Sequence, residues 1–188
     1  MSTTNKPKAF ISCSVREEDQ KFNTLVEKIV RKYGFEPCGT VGRHVNYAEP
    51  IPISMKREID RADIVVIAAT KRYIQSDIKG QNQQHAIPEM LHVESGMAYY
   101  ANKPTVVFAQ ENVNLGGFIP NITQYFIIDN NFRVQAGRQL QPFFQDLKQK
   151  IANCVQNENF KVAKNVVVGG LAAYGAWQLI KNFFSNEK

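Results

Sequence analysis

Residues 63–70 read Asp-Ile-Val-Val-Ile-Ala-Ala-Thr, a run that is apolar on both faces of any strand it forms. A continuous stretch of β-branched and small apolar residues is typical of a strand in the middle of a parallel sheet, where helices cover both faces. We therefore expect residues 63–70 to form the central strand of an α/β domain.

The segments on either side alternate between strand and helix patterns. Short apolar runs predict four further strands, at residues 9–13, 35–38, 105–109 and 125–129. Helical spacing or capping residues predict helices at residues 22–33, which Gly34 ends, at 55–62 with Ser54 as N-cap, from Glu89 towards Lys103-Pro104, and at 138–155. The stretches 39–52, 71–87 and 112–121 are expected to be loops.

This alternation predicts an α/β fold of the flavodoxin-like type, with a parallel sheet of about five strands and helices on both faces. We expect the domain to occupy residues 1–156, followed by a linker at 157–164 and a hydrophobic C-terminal helix at 165–188. In such a sheet, ligands bind beyond the carboxyl ends of the strands, at the switch in strand order. The residues that follow the first and third strands, and the start of the helix at Glu89, should therefore lie at the ligand-binding edge.

The composition argues against several function classes. The 188 residues are 44% apolar with a net charge of +6, but no cluster of basic residues is interleaved with aromatics, so we expect no nucleic-acid binding. Cys13, Cys38 and Cys154 have no paired spacing, which indicates free thiols in a reducing cytoplasm rather than disulfides or a metal site. The sequence shows no Gly-rich phosphate loop and no secretion signal. We predict a cytoplasmic protein without a metal or cofactor.

Residues 165–180 carry no charge and lie between Lys164 and Lys181. As a helix they would span about 24 Å, which is short of the roughly 30 Å hydrocarbon core of a bilayer. Three alternatives remain open: a helix that packs on the domain or on a neighbouring subunit, an interfacial or marginal membrane helix, and disorder. Membrane association through this segment is thus the alternative to a purely cytoplasmic location.

Polar side chains at the expected ligand-binding edge are candidates for substrate contact. They are Ser12, Ser14, Arg16, Thr70, Lys71, Arg72 and Tyr73. The groups after the first strand suit ribose hydroxyls or phosphate, the cations after the third strand suit a pyrophosphate, and the tyrosine suits a stacked base. Turn capping and solvated surface charge are the alternative roles.

Two carboxylates, Glu89 and Glu94, lie five positions apart on the predicted third helix. Five residues turn a helix by about 500°, so we expect at most one of them in any pocket. A fixed carboxylate stabilises or attacks the positive charge that builds at the anomeric carbon when a ribose separates from its base. A cationic leaving group such as nicotinamidium needs little acid assistance, so a single glutamate suffices. The alternative is that the carboxylate is a solvated helix residue.

Residues 10–14, Phe-Ile-Ser-Cys-Ser, with Asp19 at the start of the first helix, resemble the opening of Toll/interleukin-1 receptor (TIR) domains. In the enzymatic members of that family, a glutamate on the third helix is required to cleave NAD⁺ at the nicotinamide glycosidic bond, and Glu94 matches it best. The resemblance implies a bacterial TIR-like NAD⁺ glycohydrolase in anti-phage defence, with NAD⁺ as substrate rather than cofactor. It also places Arg43 and His44 in the loop through which TIR domains self-associate.

Residues 94–98, Glu-Ser-Gly-Met-Ala, with Lys103-Pro104, are similar to a stretch of the nucleoside 2-deoxyribosyltransferases, in which the glutamate is the nucleophile at the sugar. Both resemblances converge on Glu94 and on an N-glycosidic bond. Glu89, which follows Pro88, then suits the first turn of the helix, where it complements the helix dipole. The alternatives to the NAD⁺ glycohydrolase are a deoxyribosyltransferase-like enzyme and a non-catalytic TIR-like module that acts by self-assembly, including assembly at a membrane.

Overall fold

Apolar runs form the main strands in the computed structural model, which describes residues 6–38 and 50–156. The strands are β1 (Lys8–Cys13), β2 (Glu36–Cys38), β3 (Ile64–Ala69), β4 (Tyr73–Gln75), β5 (Gln84–Ala86), β6 (Thr105–Gln110), β7 (Val113–Asn114) and β8 (Gln124–Ile128). The helices are α1 (Gln20–Lys32), α2 (Ile51–Arg61), α3 (Glu89–Tyr100), α4 (Phe118–Ile122) and α5 (Leu140–Gln156). Turns of 3-10 helix at Glu17–Asp19 and Gly137–Gln139 precede α1 and α5.

The main sheet contains five parallel strands in the order β2-β1-β3-β6-β8. β3 lies at its centre, as its apolar run predicted, and all six of its residues are buried. Val65 of β3 lies opposite Phe10 of β1 on one side and Thr105 of β6 on the other. Among the described strands, β2 lies at one edge of the sheet, a position that suits Pro37 because proline cannot donate a ladder hydrogen bond.

Helices cover both faces of this sheet, which confirms the α/β, flavodoxin-like class. α1 and α5 pack on one face through a shared apolar cluster that includes Val26, Val30, Phe144 and Leu147. α2, α3 and α4 pack on the opposite face through a second cluster that includes Met55, Ile59, Leu91, Ala98 and Ile119. In the described part of the chain, the two clusters thus cover both faces of the sheet.

α1 ends at the glycine that the sequence indicated. Gly34 has a φ of 81°, in the left-handed region that glycine adopts without strain. The N–H of Phe35 reaches back to the carbonyl of Val30 at 3.1 Å, which closes the last turn of the helix. This tight ending turns the chain directly into β2.

The predicted start of α2 is wrong. The helix begins at Ile51, after Pro50, rather than at Met55 with Ser54 as its cap. Pro52 lies in the first turn, where an N–H has no partner within the helix, so a proline there costs no hydrogen bond. Ser54 is therefore inside the helix.

Two predicted loops contain regular structure. Within 71–87 and 112–121, β4, β5 and β7 form a small second sheet, and α4 follows β7. β4 and β5 are antiparallel, whereas β7 joins β5 in parallel by placing Val113 opposite His85. Strands of two or three residues are too short to show an alternating apolar pattern, so contacts between distant segments determine them.

Several predictions concern residues outside the described part of the chain. These are the loop with Arg43 and His44, the linker at 157–164 and the hydrophobic C-terminal helix at 165–188. Among the residues that the structure describes, no helix combines the length and apolar character needed to cross a membrane. Membrane contact through the C-terminal segment stays a prediction.

Candidate active site

The strand order reverses at the centre of the main sheet, where the chain passes from β1 to β2 on one side and then to β3 on the other. Ligands of flavodoxin-like sheets bind at this point, beyond the carboxyl ends of the strands. A pocket of about 450 Å³ lies there, between the end of β1, the start of β4 and the first half of α3. Its lining residues are Cys13, Ser14, Val15, Arg16, Arg72, Tyr73, Pro88, Glu89, Met90, Leu91, Val93 and Glu94.

Glu94 is the buried carboxylate of this pocket. It lies three residues after Leu91 and four before Ala98, so helical spacing places it on the face of α3 that packs against the sheet. Only 4% of the residue is exposed. The hydroxyl of Ser12, on β1, donates a hydrogen bond to its Oε2.

Burial raises the pKa of Glu94 from 4.5 to about 7, and the hydrogen bond from Ser12 offsets part of this rise. Removal from water disfavours the charged form of a carboxyl group, whereas a donated hydrogen bond favours it. A pKa near 7 means that both the neutral and the ionised carboxyl groups are populated at neutral pH. Such a shift in a pocket is typical of catalytic carboxyl groups, although structural groups show it too.

Glu89 lines the same pocket, so the expectation that the two glutamates could not share one is wrong. Glu89 is exposed in the first turn of α3, whereas Glu94 is buried about 7.5 Å further along the helix axis. Glu89 and Glu94 do point in different directions from the helix axis, as expected. The pocket nevertheless extends along α3, so side chains from two sides of the helix line it. The site therefore holds one buried and one exposed carboxylate.

Arg16 connects two loops at the pocket wall. Its guanidinium lies 2.8 Å from the Asp19 carboxylate and 2.8 Å from that of Glu18, and it donates to the carbonyl of Lys71 at 2.7 Å. Asp19 is only 6% exposed. These contacts join the loop after β1 to the loop after β3, so the structure gives Arg16 a bracing role as well as a place in the pocket.

Arg72 and Tyr73 form a second part of the pocket wall. The Arg72 guanidinium lies 5.6 Å from the centre of the Tyr73 ring, within the range of a cation–π contact. Tyr73 is 46% exposed, so part of its ring is accessible from the pocket. This wall offers a cation and an aromatic face to a ligand.

The other candidate contacts are less directly placed. Ser14 lines the pocket, but Ser12, Thr70 and Lys71 are not among its lining residues. Ser12 and Thr70 are each 1% exposed. The backbone of Lys71 supports the pocket wall, because its carbonyl accepts a hydrogen bond from Arg16 and its N–H donates to the Gln110 side chain at 3.1 Å. The structure thus brings Ser14, Arg16, Arg72, Tyr73 and Glu94 to one pocket.

Parts of the motif at residues 94–104 have structural explanations. Ala98 is fully buried in the core cluster of α3. The Lys103 ammonium donates to the carbonyls of Asp60 and Ala62 at 2.8 and 2.7 Å, where it caps the end of α2. Both residues thus have packing or capping roles away from the pocket, which leaves Glu94 as the motif residue with a place in the site.

Sequence reasoning missed the apolar part of the pocket, which Cys13, Val15, Met90 and Val93 contribute. Val15 between two polar residues, and Met90 and Val93 at helical spacing beside the predicted inner face of α3, were the signals that could have indicated it. In the described ranges 6–38 and 50–156, no group of three or more histidine, cysteine or acidic residues could hold a metal ion.

No protein-family model matches this sequence, and no curated protein matches it. Among solved structures, the chain is similar to the CMP N-glycosidase BcmB of Clostridium botulinum, with a TM-score of 0.41 and 14% identity over 76% of this chain and 98% of that one. A similarity this distant does not indicate an activity or a substrate. The relationships to TIR domains and to deoxyribosyltransferases stay predictions from short motifs.

Proposed function

We propose that this chain is an enzyme that cleaves the N-glycosidic bond of a nucleotide, with Glu94 as the catalytic carboxylate. The observation that supports this most is the environment of Glu94, a buried and hydrogen-bonded carboxyl group at the ligand-binding edge of the sheet. Buried carboxylates are costly to the folded state, so one that faces a pocket is a candidate functional group.

The ionised Glu94 carboxylate would act on the sugar. As the bond to the base breaks, positive charge builds at the anomeric carbon, and an anion in a poorly hydrated site stabilises that charge more than it would in water. For NAD⁺ as substrate, water adds to the anomeric carbon, nicotinamide leaves with the bonding electron pair, and a proton is released to solvent. The products are ADP-ribose and nicotinamide.

The pocket walls offer the remaining contacts. Arg72 is the proposed phosphate ligand, because the guanidinium of Arg16 already contacts two carboxylates and a carbonyl. The half-exposed ring of Tyr73 is the proposed stacking surface for the base. Ser14, at the end of β1, remains a proposed partner for a ribose hydroxyl.

We propose NAD⁺ as the first candidate substrate and bacterial defence as the setting. The substrate and the setting are both supported by the resemblance of residues 10–14 and Glu94 to TIR domains. A deoxynucleoside is the substrate that the deoxyribosyltransferase resemblance favours.

The test is to incubate the full chain with NAD⁺, with ribonucleoside monophosphates and with deoxynucleosides plus a second base, and to separate the free bases by chromatography. Release from NAD⁺ supports the proposal, release from a monophosphate changes the substrate, and base exchange alone supports the transferase. No release from any of them contradicts the enzyme proposal.

One observation favours the non-catalytic alternative, a TIR-like module that acts by self-assembly. Met90, Val93 and Tyr100 of α3 are 41%, 47% and 86% exposed, and large exposed apolar side chains are common at protein interfaces. Sedimentation over a range of concentrations tests it. A mass that rises with concentration, together with no base release, would favour the assembly module over the enzyme.

A further inference from the structure

Ser12 is among the candidate substrate contacts, yet the structure buries it away from the pocket surface. It is 1% exposed, and it lies on β1, where its backbone pairs with Ile67 of the central strand. Its hydroxyl donates to Oε2 of Glu94, which is 82 positions away in the sequence. Pairing with the central strand therefore holds the donor of this hydrogen bond in place.

We propose that Ser12 is a positioning residue, which fixes the Glu94 carboxylate in the pocket through the hydrogen bond from its hydroxyl. The catalytic consequence rests on the proposed function, but the contact between the two side chains does not. An acceptor as buried as Glu94 depends strongly on the few donors it has, because water does not replace them. Loss of the hydroxyl should therefore change both the orientation and the ionisation of the carboxyl group.

Other charged groups near Glu94 have weaker claims to this role. The titratable or charged side chains that share its pocket are Cys13, Arg16, Arg72, Tyr73 and Glu89. Among the elements that pack against α3, β3, β6 and α4 carry no charged side chain, and β1 carries Lys8 at the end away from Cys13. The charged side chains of α2 are Lys56, Arg57, Glu58, Asp60 and Arg61, and α3 itself also carries His92. The pKa of Glu94 responds to burial first and to the Ser12 hydroxyl second, with no charged neighbour contributing. A substitution of Ser12 therefore removes the polar side-chain contact that lowers the pKa of Glu94.

Ser95 provides a matched control on the same helix. It is also buried, at 0% exposure, but its hydroxyl donates to the backbone carbonyl of Leu91 rather than to Glu94. Ser95→Ala removes a buried serine hydroxyl from the same region without touching the carboxyl group. Ser12→Thr keeps a hydroxyl at the proposed position and serves as the conservative variant.

The experiment is a carboxyl-carbon NMR titration of the full chain, labelled at its glutamate side chains. The Glu94 signal is identified by its loss in Glu94→Gln. We expect the midpoint of the Glu94 titration to rise by about one pH unit in Ser12→Ala, a tenfold change in the ionisation constant, because a hydrogen bond to the charged form is lost. Ser95→Ala and Ser12→Thr should keep the midpoint of the unmodified chain.

The inference is overturned if Ser12→Ala leaves the midpoint in place, or if Ser95→Ala moves it equally. Activity gives a second readout, since the acidic limb of the kcat/KM profile should shift by the same amount as the titration. A raised KM with an unchanged midpoint would instead identify Ser12 as a substrate contact. If the full chain releases no base but the midpoint moves in Ser12→Ala alone, the proposed function fails and the Ser12 inference stands.

Discussion

The raised pKa of Glu94 makes the stability of the fold depend on pH. Its pKa is about 7 in the folded chain against an ordinary value of 4.5, so the folded state holds this proton more tightly than the unfolded state does. Between these two values the unfolded state binds fewer protons, and stability therefore falls as pH rises. The full penalty is present above pH 7 and absent below about 4.5. It is on the order of 3 kcal/mol for a shift of this size.

Glu94→Gln should therefore stabilise the chain at high pH. Glutamine keeps an acceptor for the Ser12 hydroxyl and carries no charge, so we expect the free energy of unfolding to increase by on the order of 3 kcal/mol at pH 8. Urea unfolding between pH 4.5 and 8 measures the difference, which should vanish at the acidic end. Glu89→Gln, at an exposed position of the same helix, should show no such trend. If Glu94→Gln were no more stable than the unmodified chain at pH 8, the burial of the Glu94 carboxyl group would be contradicted.

At the scale of elements, the site depends on two loops that are held together. Arg16 joins the loop after β1 to the loop after β3, and Asp19 is buried beneath its guanidinium. Arg72 also lines the pocket, but its side chain lies over the exposed ring of Tyr73. The sequence presents Arg16 and Arg72 as similar phosphate ligands, but their surroundings differ. Arg16 contacts protein groups that it holds together, whereas Arg72 faces solvent.

Arg16→Gln and Arg72→Gln should separate these roles. Arg16→Gln leaves the buried Asp19 carboxylate without its cation, so we expect a loss of about 2 kcal/mol in the free energy of unfolding. Arg72→Gln should leave stability unchanged but raise KM about tenfold, as expected for loss of one charge-assisted contact to a phosphate. Thermal unfolding and steady-state kinetics provide the two measurements. Equal losses of stability in both variants would argue against a bracing role specific to Arg16.

At the scale of the whole molecule, the apolar patterns predicted the main sheet, its central strand and the helices on both faces. The small sheet of β4, β5 and β7 could not be predicted, because its strands have only two or three residues each and depend on pairing between distant segments. The glutamate at position 94 came from motif resemblance, whereas its hydrogen bond to Ser12 requires β1 and α3 to pack together. The bracing role of Arg16 could not be predicted for the same reason, because its partner, the carbonyl of Lys71, lies in a different loop.

The sequence pattern also predicts that residues 1–156 fold without the C-terminal segment. Within the described residues, α5 contributes to the core cluster that it shares with α1 as far as Ile151. We therefore expect a chain that ends at residue 156 to keep the unfolding temperature and base release of the full chain. Differential scanning calorimetry and the chromatographic assay test this. A large drop in unfolding temperature would show that residues 157–188 complete the fold, which would contradict the proposed division into domain, linker and C-terminal segment.

The proposed cleavage of an N-glycosidic bond at Glu94 is tested most directly by measuring nicotinamide release from NAD⁺ by the unmodified chain, Glu94→Gln and Glu89→Gln. The two variants remove carboxylates from the same helix and the same pocket, one buried and one exposed. We predict that the unmodified chain and Glu89→Gln release nicotinamide, and that Glu94→Gln, although folded, loses about a thousandfold or more of that rate. Release by Glu94→Gln at the rate of the unmodified chain would contradict the account.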